Sequence, residues 1–269
     1  MDDEPVERSA ASDRLIDRLS GSGPTVGNWV SLADPAVAEL YAELGSDLVL
    51  IDVEHTPLSL ESVADALRAV DAASGDAATV VRVPDADATT IKRVLDLGVD
   101  GLMVPMVETA DEADSVVDAM RYPPAGIRGV AASRANRYGR DLAETIDDAD
   151  ERLTTIVQIE SARGVENADA IAAVDGIDSL FIGPADLSRS LGALGDWTGD
   201  RFRTAVDDVF SAARAADVPV GTLAVGDEQI RRWASLDFQY VVVGYDVGYL
   251  TAGVEDAMET YESVLGASE

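Results

Sequence analysis

"DLVLIDVEHTPLSLESVADALRAV", residues 47–70, changes its period halfway along. From Asp47 to His55 it is a run of aliphatics too continuous for a strand with one wet face, closing on Asp52, Glu54 and His55. From Leu60 onward, Leu60, Val63, Ala64, Leu67 and Val70 fall on one helical stripe, and Ser59 stands where a helix N-cap belongs. A buried strand followed at once by an amphipathic helix is the repeating unit of a parallel sheet.

The unit recurs along the chain. Apolar runs at 25–32, 47–55, 78–84, 101–107, 153–160, 179–187, 218–225 and 238–247 make eight candidate strands. Between them, Ala113, Val116, Val117 and Met120 form a second helical stripe, and Asp34 before Pro35 and Thr109 with Glu112 read as helix caps. Eight buried strands alternating with helices predict an α/β fold, a (β/α)8 TIM barrel, as one domain over residues 1–269. The rival, a doubly wound open sheet, opens with a glycine-rich turn after its first strand, whereas this chain has "LADPAVAEL" there. Two stretches stand outside the repeat. Residues 1–20 are read as an extra N-terminal helix, and 122–152 as a long connector after strand four on the C-terminal face, where substrate loops sit.

Composition excludes several classes. The chain holds 51 Asp plus Glu against 20 Lys plus Arg, a formal charge of -31, which repels nucleic-acid phosphates and anionic membrane surfaces. Lys92 is its one lysine, and this arginine-for-lysine bias on an acidic chain resembles proteins of salt-accumulating halophiles. No run is long enough to span a membrane and the N-terminus lacks a signal-peptide plan, so a soluble cytoplasmic protein is expected. Without cysteine there are no disulfides and no thiolate ligands.

Polar residues that interrupt a barrel strand at its C-terminal end converge on one mouth. His55, the only histidine, is read at the end of strand two, Arg82 near the end of strand three, Glu160 at the end of strand five and Asp186 at the end of strand six. Taken singly, each has a structural reading as a packed imidazole, a rim ion pair or a helix cap; their joint placement points to a site. Two carboxylates with no cysteine suit an octahedral, water-rich divalent ion such as Mg2+, Mn2+ or Co2+, which leaves positions where a 2-oxo acid could chelate. A Schiff-base lysine is disfavoured, because Lys92 sits inside a helix.

These residues lie in motifs that resemble the HpcH/HpaI aldolase family. "GNWVSLADPAVAEL", "IDVEHTP", "IKRVLDLGVDGLMVPMVETADEA", "RYPPAGIRGV", "VQIESARGVEN" and "FIGPADLSRSLG" occur in family order and cover about residues 25–250. The resemblance implies a metal-dependent class II aldolase that reversibly splits a 4-hydroxy-2-oxo acid into pyruvate and an aldehyde. It implies His55 as the base acting on the 4-hydroxyl, with Asp96 paired to it, and Arg82 polarising the keto oxygen and steadying the enolate. Glu160 and Asp186 are implied as metal ligands, Gln158 as their polar neighbour, and Gly183, Pro184 and Ala185 as backbone contacts to the pyruvate carboxylate. Oxaloacetate decarboxylation or CoA-ester cleavage on the same metal-enolate site is the alternative. The resemblance also implies a homo-oligomer, a trimer or hexamer, and Val254, Met258, Tyr261 and Val264 offer a C-terminal stripe for packing on a neighbour.

Two features depart from the family or stay open. Thr56 follows the histidine where family members usually have glycine, which could shift aldehyde specificity. Arg121, Arg128, Arg134, Arg137 and Arg140 read either as surface salt bridges or as a site for the second carboxylate of a diacid.

Overall fold

In the computed structural model, residues 14–21 and 23–266 are described. Eight strands, β1 (Thr25–Val30), β2 (Leu48–Asp52), β3 (Ala78–Arg82), β4 (Gly101–Val104), β5 (Thr154–Ile159), β6 (Ser179–Ile182), β7 (Val220–Ala224) and β8 (Tyr240–Tyr245), pair in sequence order. All pairs are parallel and β8 closes on β1, which is the expected (β/α)8 barrel.

Both strand faces are buried, which is why the runs read as continuously apolar. Val49, Ile51, Val81, Leu102, Val157 and Leu180 face the helices. Leu48, Leu50, Val80, Met103, Ile156 and Phe181 fill the interior. The predicted caps form: Asp34 accepts from the Ala36 N–H at 3.0 Å, Ser59 from Ser62 at 3.2 Å, and Thr109 and Glu112 make a reciprocal capping box.

The N-terminal rim is closed by two devices. Of the expected helix over residues 1–20, the described part is Leu15–Leu19, whose Leu15 and Leu19 are buried in the interior cluster; residues 1–13 lie outside the described part. Around the rim, the residue preceding each even strand clamps the first turns of the strand before it. Asp47 accepts from the Val26 N–H at 2.9 Å, Asp100 from Thr79 at 2.7 Å, Asp178 from Thr155 at 2.7 Å, and Gln239 from Val220 at 2.8 Å.

The long connector does not lie where the sequence reading put it. It follows the helix Ala110–Met120 rather than β4 itself, and that helix has already carried the chain back to the N-terminal rim. There the Ala135 N–H donates to the Asp96 carbonyl and Arg134 to the Leu97 carbonyl. Its arginines make ion pairs, Arg121 with Asp175 at 2.9 Å, Arg137 with Asp141 at 3.2 Å, and Arg134 with Asp71.

The last helix, Asp246–Gly266, meets its own barrel through its beginning. Asp246 accepts from the Ser31 and Leu32 N–H groups at 2.7 and 2.8 Å. Beyond this, Leu250, Val254, Met258 and Tyr261 are exposed. No helix among the described residues is long and apolar enough to cross a membrane.

Candidate active site

Strand parity builds the site. Residues two apart on a strand share a face, so the inward set that fills the barrel continues at the C-terminal ends as Trp29, Asp52, Arg82, Gln158 and Glu160. β2 and β3 pair in a register that sets Asp52 beside Arg82. Their side chains form a buried bidentate pair, with Arg82 Nε to Asp52 Oδ1 at 2.9 Å and Nη2 to Oδ2 at 2.8 Å. Glu54, two residues on, brings Oε2 to 2.8 Å from Arg82 Nη1 without the alignment of a hydrogen bond. The Trp29 ring lies 4.5 Å from the guanidinium carbon, so all three nitrogens and one face of Arg82 are engaged.

Glu160 follows β5 directly. Its Oε1 accepts the Met106 N–H at 2.8 Å, and Gln158 Nε2 reaches its Oε2 at 3.3 Å. Met106 presents that N–H from a left-handed conformation, φ 53°. Gly183 lets the end of β6 approach, since a Cβ there would fall 2.3 Å from Glu160 Oε2. Burial pushes the Glu160 carboxyl up to about 7; the Met106 N–H opposes this, and the charges of Asp186 and Glu54 add to it. Burial likewise raises Glu54, against the pull of Arg82.

One cavity of about 230 Å3 at this mouth is lined by His55, Arg82, Gln158, Glu160 and the segment from Gly183 to Asp186. Its other wall is Trp29, Ser31, Phe181, Leu223 and Tyr245. Two of the sequence-read strand ends shift: β2 stops at Asp52 and β6 at Ile182. His55 therefore stands on the loop after β2, its side chain 69% exposed, and Asp186 in the first turn of the helix Pro184–Ser190.

Asp96 is not brought to the cavity. It caps the C-terminal end of the helix Ala88–Leu95, which has run from the mouth to the opposite rim, and there it lies 3.7 Å from buried Arg128. The carboxylate that His55 meets is Glu54, with Nε2 and Oε1 3.6 Å apart. The sequence reading missed the second role of its own motif: Asp52 and Glu54, at i and i+2 of a strand end, hold Arg82. It also missed the apolar wall, whose residues read as ordinary core.

The donor set fits a hard divalent cation. Glu160 and Asp186 bring carboxylate charge together, Gln158 Oε1 is buried without a partner, and the cation Arg82 is already paired. Among the described residues no three His, Cys, Asp or Glu side chains gather as a closed cage. A two-carboxylate site leaves coordination positions for water and substrate, as Mg2+ or Mn2+ sites do.

Comparison with known proteins adds to this geometry. The sequence profile of the family described as HpcH/HpaI aldolase/citrate lyase matches residues 25–252. A hydroxypyruvate/pyruvate aldolase of Pseudomonas aeruginosa is 39% identical, covering 91% of either chain. A 4-hydroxy-2-oxovalerate aldolase of Rhodococcus jostii is 44% identical over 84% of this chain and 86% of its own. The crystal structure of an HpcH/HpaI aldolase/citrate lyase family protein from Burkholderia cenocepacia superposes with a TM-score of 0.88 at 38% identity, covering 92% of this chain and 98% of that one.

Proposed function

The chain belongs to the HpcH/HpaI aldolase/citrate lyase family, and we propose that it is a class II aldolase reversibly cleaving a 4-hydroxy-2-oxo acid into pyruvate and an aldehyde. The observation that carries this reading is the gathering of His55, Arg82, Glu160 and Asp186 around one cavity.

Glu160 and Asp186 would hold the divalent ion, Mg2+, Mn2+ or Co2+, with Gln158 beside them. When bound, the ion supplies Lewis-acid polarisation of the 2-oxo group. Backbone groups of Gly183, Pro184 and Ala185 orient the substrate carboxylate. His55 takes the proton of the 4-hydroxyl, the C3–C4 bond breaks, and its electron pair moves into the C2–C3 enolate as the aldehyde carbonyl forms. Arg82 faces the oxygen on which negative charge develops, and because Asp52 and Glu54 fix its guanidinium, no reorganisation is needed as that charge appears. Protonation at C3 releases pyruvate. The exposure of His55 lets it exchange its proton with solvent between turnovers. A role for Asp96 in orienting His55 would have to come from a second copy of the chain, since within one chain it lies on the other rim. We further propose a homo-oligomer, trimer or hexamer, in which a neighbour covers the apolar face of the C-terminal helix.

The test is synthesis. Pyruvate with a panel of aldehydes and Mg2+ or Mn2+ should give aldol products by mass, and His55→Ala and Glu160→Ala should lose them. Failure with every aldehyde, together with rapid CO2 release from oxaloacetate, would overturn the aldolase in favour of a decarboxylase.

A further inference from the structure

The last strand carries one residue more than the strand it closes on. Along β1 and β8, Thr25 pairs with Tyr240, Val26 with Val241 and Gly27 with Val242, but the next pair is Trp29 with Tyr245. Two steps on β1 are met by three on β8, a β-bulge at Val243 and Gly244. Alternation puts Tyr240 and Val242 in the barrel interior and Val241 against the helices, and continued unbroken it would turn Tyr245 outward, away from the cavity. The extra residue reverses that parity, so Tyr245 packs on the interior cluster and lines the cavity beside Trp29. From this we propose that Tyr245 contacts the aldehyde-derived half of the substrate and helps to select it, and that Asn28 and Tyr249, which lie outside the cavity, are positioning residues acting through Tyr245.

A bulge takes a backbone carbonyl out of the ladder and leaves it in need of another donor. Here side chains supply two: the Val243 carbonyl accepts Asn28 Nδ2 at 2.9 Å and the Tyr249 hydroxyl. Asn28 Nδ2 also donates to Tyr249 Oη at 2.8 Å, while its Oδ1 accepts from Ser46 Oγ at 2.6 Å, which fixes the orientation of the amide. The Tyr249 ring meets Tyr41 edge-on, with centroids 6.3 Å apart. Gly244 sits at φ 81°, a conformation that a side chain resists, and a Cβ there would fall 2.7 Å from Tyr249 Oη. On the other side of Tyr245, Asp246 accepts from the N–H groups of Ser31 and Leu32 just after β1. Tyr245 is thus tied to β1 and its end from both sides, and every one of these contacts lies within one chain, whatever a second copy brings to the mouth. On the aldolase reading, on which this proposal rests, the pyruvate half is held from β3, β5 and β6 by Arg82, Glu160 and the segment from Gly183 to Asp186. That leaves β8 to face the carbons beyond C3.

The experiment is a double-mutant cycle on the full chain with Mn2+, pyruvate and propanal, read as the separate KM values of the two substrates. Tyr245→Val should raise the propanal KM about tenfold and leave the pyruvate KM within about twofold, as the loss of a contact confined to one half of the substrate requires. Asn28→Ala, or Tyr249→Phe where the first does not fold, should raise the propanal KM about fivefold alone and less than about twofold in the Tyr245→Val background, because its effect passes through Tyr245. Three results overturn the assignment while leaving the aldolase reading intact: effects of the two substitutions that simply multiply, a pyruvate KM that rises as far as that of propanal, or a propanal KM that Tyr245→Val does not move. An absence of aldol product from the unaltered protein with propanal and every other aldehyde overturns the aldolase reading and this assignment with it.

Discussion

Thr56 illustrates how a side chain beside a reacting group can act on position alone. Its hydroxyl donates to the Asp52 carbonyl and accepts the Leu58 N–H at 3.3 Å, tying both ends of the turn that carries Glu54 and His55. The extra side chain, read from sequence as a place where aldehyde specificity could shift, is thus spent on its own turn. Thr56→Val removes these bonds at constant shape, and kcat for aldol formation from pyruvate should fall about tenfold with the pyruvate KM unchanged, since small displacements of a base are costly; Thr56→Ser should restore it. Glu160 gives a second residue-level expectation. Its carboxyl is held at about 7, above the ~4.3 of an unfolded glutamate. A raised carboxyl contributes stability that is fully present below the unfolded value and lost as pH rises through the folded one. Calorimetric Mn2+ affinity should therefore climb between roughly pH 6 and 8 as the competing proton leaves, with proton release per ion on the acid side; an affinity flat over that range would contradict the assignment of Glu160 as a ligand.

At the scale of the element, the rim clamps show how a strand end can be closed by carboxylate or amide alike. Gln239 does with a neutral carbonyl what Asp47, Asp100 and Asp178 do with carboxylates. Burial raises Asp100 and Asp178, so their charged forms are disfavoured in place. Asp100→Asn should accordingly melt at or above the parent temperature at pH 7. Asp100→Ala should lose about 1–3 kcal/mol in denaturant unfolding, because it strands the Thr79 N–H. Elements also decided what could be read in advance. The eight strands and their helices were legible because short continuous apolar runs differ from stripes of period 3.6, and because caps at Asp34, Ser59 and Thr109 mark helix starts. Strand ends were legible only to within a few residues: polar side chains after β2 and β6 continue to face the mouth once the ladder has ended, so His55 and Asp186 read as strand. The 122–152 connector was misplaced for another reason, which also sets Asp96 on the rim opposite the cavity within one chain. A motif's order along the chain does not say which rim it reaches, and one helix length separates the two.

The whole molecule poses a question of charge and assembly. A formal charge of -31 spread over one barrel repels itself, and the Debye length falls from about 10 Å at 0.1 M salt to about 3 Å at 1 M. Raising KCl through that range should lift the melting temperature by several degrees, as seen by calorimetry, with added glucose as a neutral control. The C-terminal helix belongs to the same scale. On the homo-oligomer proposed above, a Met258→Glu and Tyr261→Glu pair, both exposed in the single chain, should leave the barrel's circular dichroism intact and reduce the mass by light scattering to that of a smaller assembly. The four clamps all lie at the end of the barrel opposite the cavity, and this separates two kinds of change. Residues that choose a substrate can be exchanged at one end while the closure that keeps the strands in register is untouched at the other.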